Sequence, residues 1–141
     1  IVGYVSYMGT NLYFDKDGMV VESSTEVLDG VPQISGLKFS EVTLYEQLPV
    51  SKPDVFRIIL NLTQALDKND VHPDRIAFAD NLSITLWFGE ARVLFGTEDM
   101  MDEKIANLAS FVDDLKERKG TLHMENFTED TQNLIFDGDD G

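Results

Sequence analysis

Residues 82–124 read LSITLWFGEARVLFGTEDMMDEKIANLASFVDDLKERKGTLHM, and the changes of hydrophobic period inside them set the expected fold. Leu82, Ile84, Leu86 and Phe88 alternate with Ser83, Thr85 and Trp87, the pattern of a strand with one buried face. Ala91, Val93 and Phe95 alternate in the same way with Arg92 and Leu94. Only Gly89 and Glu90 separate the two runs, and a two-residue loop with glycine first suits a type II′ turn, so the pair predicts a β-hairpin. The period then lengthens. Met101, Ile105, Leu108, Val112 and Leu115 recur at alternating steps of four and three, which places them on one stripe of a helix spanning Asp99–Lys119. Thr97 suits its N-cap, with Glu98, Asp99, Asp102 and Glu103 at the positive end of the helix dipole. Lys116, Arg118 and Lys119 suit the other end, Gly120 the left-handed C′ position, and Thr121–Glu125 a further strand.

Upstream, Val2, Tyr4, Ser6 and Met8 alternate with Gly3, Val5 and Tyr7, and Asn11–Phe14 and Met19–Glu22 flank Asp15-Lys16-Asp17-Gly18 as a second hairpin. Asp15-Lys16-Asp17-Gly18 also has the look of a calcium loop. A turn explains it more simply, because Val20 and Val21 read as strand before the twelfth-position Glu26 is reached. Val31 is held extended by Pro32. Lys38–Pro49 reads as a loop clasped to the sheet. A first helix is expected over Lys52–Lys68, with Ser51 and Asp54 forming a variant capping box, Pro53 in the first turn, and Phe56, Ile59, Leu60, Thr63 and either Leu66 or Asp67 facing the core. Arg75–Asp80 predicts another strand, and Gln132–Phe136 a last one. Asp137–Gly141 is expected to be a disordered acidic tail.

With 141 residues, 43% hydrophobic and 10% aromatic, the chain is expected to be one globular domain with a real core. A net charge of −15 makes nucleic acid and anionic lipid poor partners unless one face is locally basic. The absence of cysteine removes disulfides, thiolate catalysis and cysteine-based zinc sites. No apolar run approaches the ~18 residues of a membrane span. Because Ile1–Met8 already reads as strand, a segment of a longer chain is expected.

Catalytic signals are weak. His72 and His123 fall in different elements, neither accompanied by a nucleophile or an orienting carboxylate at a recognisable spacing. No phosphate loop, G-x-S-x-G elbow or H-E-x-x-H occurs. The Glu98–Glu103 acidic cluster is explained by its place at a helix start, although a cation site is the alternative. Trp87 points away from the apolar strand face; cover by a loop is favoured over an open contact surface. No enzyme, cofactor or metal is expected.

Several phrases, taken in order, resemble the extracytoplasmic β domain of the bacterial cell-division family FtsQ, called DivIB in Gram-positive bacteria. They are Tyr13-Phe14-Asp15-Lys16-Asp17-Gly18 with Val20 and Val21, then Val31-Pro32-Gln33-Ile34-Ser35-Gly36. Ile84-Thr85-Leu86, Val93-Leu94-Phe95-Gly96, Glu103-Lys104-Ile105 leading into Leu108, and Gly120-Thr121-Leu122-His123-Met124 follow. The resemblance runs from about Tyr4 to Phe136. It implies a single-pass cell-membrane protein, anchored through an upstream segment, with this β domain over residues 1–136 on the extracytoplasmic side. Residues 1–8 would close a preceding POTRA region. It also implies a non-catalytic divisome scaffold that binds FtsB/DivIC and FtsL and helps regulate septal cell-wall synthesis. The partner would add a strand along Thr131, Gln132, Asn133, Leu134, Ile135 and Phe136, with Met124 on the inner neighbouring strand. A small-ligand or cation-binding sensor domain is the alternative. The expected fold is α+β: a curved, mostly antiparallel sheet with two main helices packed on one face.

Overall fold

The computed structural model describes residues 1–39, 41–125 and 135–138. In chain order the elements are β1 (Gly3–Tyr7), β2 (Thr10–Phe14), β3 (Val20–Ser24), β4 (Gln33–Ser35), α1 (Val55–Lys68), β5 (Arg75–Phe78), β6 (Ile84–Phe88), β7 (Ala91–Gly96), α2 (Met101–Ala109), α3 (Val112–Leu115), β8 (Gly120–His123) and β9 (Ile135–Gly138). Among the described residues the strands form one sheet in the order β3-β2-β1-β4-β5-β6-β7-β8-β9. The fold is α+β with a mixed sheet. Hairpin neighbours run antiparallel, whereas β1–β4, β4–β5 and β7–β8 are parallel. A parallel pair needs a crossover, and α1 lies between β4 and β5 while α2 and α3 lie between β7 and β8.

The central hairpin forms as its alternation predicts. Leu86 faces Val93 and Phe88 faces Ala91, all at 1% exposure or less. Gly89 has φ +61 and Glu90 is not among the positive-φ residues, as a type II′ turn requires. Ile59, Leu62, Ile105 and Leu108, fully buried, share one core cluster with Ile34, Ile76, Ile84, Leu86, Val93, Phe95 and Leu122. Strand alternation puts those strand residues on a single face, which the helices therefore cover. Leu60, expected inside, is only half-buried.

Helix ends depart from expectation. α1 begins at Val55 behind Asp54, whose carboxylate makes no cap bond; it pairs instead with Arg57 at 2.8 Å. Ser51 donates its backbone N–H to Lys38 O and caps nothing. The single helix expected over Asp99–Lys119 is two, because Ser110 and Phe111 bond back to Asn107 and Leu108, a tightening to three-residue steps. Thr97 takes a hydrogen bond from the Asp99 N–H in a turn (3.4 Å), and the helix starts later, behind Met100 at φ +56. Gly120 is not a C′ residue but the first of β8. A Cβ there would lie 2.3 Å from Asp137 O, so the close β8–β9 approach requires glycine. Asp137 and Gly138 extend β9 where the sequence suggested a tail, since they pair with Thr121 and Gly120.

Candidate functional site

β9 ends the sheet order, and β8 is its one neighbour among the described residues. The register is Gly120↔Gly138, Thr121↔Asp137, Leu122↔Phe136 and His123↔Ile135, antiparallel. One long side of β9 therefore presents backbone N–H and C=O groups outward without a strand across from them among the described residues, the geometry another extended chain can complete. Of the residues expected to meet a partner, Ile135 and Phe136 are in β9, while Thr131, Gln132, Asn133 and Leu134 lie outside the described residues. Phe136 is half-buried, packed against the core with the Arg118 guanidinium 5.6 Å from its ring. Met124 is a correction: at 1% exposure its side chain belongs to the core, because it falls on the helix-covered face like Leu122.

His123 joins the two strands. Its Nε2 lies 2.8 Å from Asp137 Oδ2 and its Nδ1 2.7 Å from Glu125 Oε1. The Glu125 hydrogen bond pushes the imidazole pKa up; burial opposes this, and Asp137 adds to the rise. Burial pushes the Glu125 carboxyl up, but the hydrogen bonds from His123 and the backbone outweigh it and leave it below the usual glutamate value. The sequence suggested that neither histidine has an orienting carboxylate. Both do, since His72 Nε2 also sits 2.8 Å from Asp70. The carboxylates two residues away, Asp70 before His72 and Glu125 after His123, were visible in the sequence; Asp137 was not, because only the β8–β9 register brings it in.

Two of the remaining chemical candidates have their lead carboxylates engaged. Asp15 Oδ1 accepts the N–H groups of Asp17 and Met19 at 2.9 and 3.0 Å, so its carboxylate closes the turn. Glu98 is held by Arg57 through two bonds of 2.9 and 3.0 Å, which ties α1 to the segment before α2. No cluster of three or more metal-ligating side chains occurs among the described residues. Nor, among them, is any helix long and apolar enough to cross a membrane. A cleft of about 770 Å³ opens between the loops carrying Leu28 and His72, at the starts of β4 and β5.

Two arginines flank Trp87. The Arg75 guanidinium stacks 4.7 Å from the ring centroid and that of Arg92 lies 5.9 Å away, each from a directly paired position on a neighbouring strand. Sequence alternation places all three on one face, yet their adjacency depends on the register of three strands. Comparison with protein-family models, curated proteins and solved structures returns no match.

Proposed function

We propose that this domain is a non-catalytic scaffold that recruits other proteins by adding a partner strand to the free edge of β9. The observation that carries it is the position of β9: last in the sheet order, antiparallel to β8, and with no strand on its outer side among the described residues. An added strand supplies backbone hydrogen bonds for affinity, and alternate side chains supply specificity. The resemblance to FtsQ/DivIB gives the partners their identity. They are cell-division proteins of the FtsB/DivIC and FtsL type, met on the extracytoplasmic side of a membrane to which an upstream segment anchors the chain. In this reading the sheet is curved like that family's, and the scaffold helps regulate septal wall synthesis. Recognition runs mainly through the backbone, because Met124 is internal and Phe136 half-buried.

Proline lacks the N–H that a ladder needs. Because Met124 donates its N–H to Leu94 O, Thr121 and His123 bond across to Asp137 and Ile135, which leaves the N–H groups of Phe136 and Gly138 facing outward. Gly138→Pro, at a position with room for a ring, is therefore expected to weaken binding of an FtsB/DivIC-type peptide at least about tenfold, the loss of roughly one charge-free ladder bond plus register. Circular dichroism should find the fold retained. Unchanged affinity in isothermal titration would remove β9 as the docking edge.

A further inference from the structure

We propose that the sheet face opposite the helices is a second docking surface, built to receive an acidic segment of another polypeptide. It lies away from the β9 edge and does not depend on it. Two ladder rows cross the middle of this face. One runs Gln33, Arg75, Trp87, Arg92, Thr121, and the other Ser35, Ala77, Thr85, Leu94, His123. Across β4 to β8 neither row holds an aspartate or glutamate, in a chain with 26 of them and a net charge of −15; the first row meets one only at its ends, Glu22 on β3 and Asp137 on β9. Carboxylates lie at the margins of the face: Asp29, Asp67 and Asp74 share a cleft with Arg75 and Trp87, Asp74 accepts the Gly89 N–H at 2.7 Å, and Glu125 and Asp137 hold His123. At physiological salt, charges beyond about 8 Å are largely screened, so a chain seated on the indole responds to the two guanidinium groups beside it more than to the net charge.

The arginines themselves are uncommitted. Arg57 and Arg118 are ion-paired, whereas Arg75 and Arg92 form no salt bridge among the described residues. Arg92 donates Nε–H to Thr121 Oγ1 at 2.8 Å, which fixes its guanidinium beside the indole and leaves the outer nitrogens without a partner among the described residues. Arg75 Nε is buried, without an acceptor among the described residues, so only the outer nitrogens of its fork face a partner. That planar fork is matched by a carboxylate. Strand spacing puts the two arginines about 10 Å apart with the indole between them. That arrangement fits a segment presenting two acidic side chains astride an apolar one. Nucleic acid shares the negative charge, but its continuous phosphates would meet the acidic remainder of the surface.

Trp87 is the only tryptophan in the chain, so its fluorescence reports on this face alone. The full chain is titrated with a short peptide of alternating Glu and Leu, its Gln-for-Glu twin, and a single-stranded thymidine oligonucleotide, while sedimentation velocity tracks self-association. Expected is a saturable change in Trp87 emission with the acidic peptide only, weakened about tenfold in Arg75→Gln and again in Arg92→Gln, and fading with salt. Arg92→Lys should restore part of it. Gly138→Pro should leave it intact, which separates this face from the β9 edge. Equal response to the Gln twin, tighter binding of the oligonucleotide, or a Trp87 change that follows dimer formation would each overturn the proposal. Circular dichroism of the variants guards against loss by unfolding; if both glutamine variants unfold, salt and the Gln twin on the unaltered chain still decide it.

Discussion

Lys104 is 2% exposed, with its ammonium on two backbone carbonyls, Phe95 O at 2.8 Å and Thr97 O at 3.2 Å, and over the Phe95 ring at 4.8 Å. Burial pulls its pKa below the ordinary lysine value, while Asp99 and Glu125 oppose the shift. This lysine pins α2 to the end of β7. Lys104→Met keeps the stem but leaves two inward carbonyls unmatched, so a loss of about 1–3 kcal/mol is expected in urea unfolding. An unaltered midpoint would mean that the carbonyls find water. His123 makes a pH-dependent contribution. Its pKa is raised in the folded state, so its stabilisation is complete below the unfolded value of 6.5 and is lost as pH rises through the folded value. Glu125 is shifted down, so its share is present above 4.5 and vanishes as pH falls through its folded value. The β8–β9 clasp is therefore strongest between those two values. Unfolding curves across that range should separate the unaltered chain from His123→Gln most widely there and converge above it. Curves that stay parallel would deny His123 the role.

At the scale of elements, legibility followed locality. The β6–β7 hairpin was readable because alternation and a glycine-first turn are written in adjacent residues. The α2–α3 break was not, since Met101, Ile105, Leu108, Val112 and Leu115 keep an unbroken stripe while only the hydrogen-bond step shortens at Ser110. The phrase ending in Gly36 was noticed as a pattern without its cause. At φ +87, a Cβ on Gly36 would stand 1.9 Å from Phe78 O, so the chain leaving β4 passes too close to the end of β5 for a side chain. Leu108 tests the helix-to-sheet packing directly. It is fully buried in the same cluster as Leu86 and Phe95. Leu108→Ala should cost about 2–5 kcal/mol by thermal or chemical unfolding. A variant as stable as its parent would place α2 outside the core.

For the whole molecule, composition and periodicity carried the class, α+β, but not the strand directions. Three parallel pairings depend on which strands lie side by side, and no local pattern in Gln33–Ser35 names β1 and β5 as its neighbours. The candidate sites divide the same way. The edge position of β9 was anticipated from the family resemblance, whereas the arginine-flanked Trp87 needed the register of β5, β6 and β7 together.

The strand order carries one more consequence. After the N-terminal β1–β2–β3 meander, each new strand joins the margin left by its predecessors: β4 beside β1, then β5 through β9 in sequence. A chain leaving the ribosome, or threading a translocation pore, N-terminus first can thus lay down the layer without waiting for a distant partner. The order permits vectorial assembly, with β9, the latest of these strands to be made, at the open margin among the described residues.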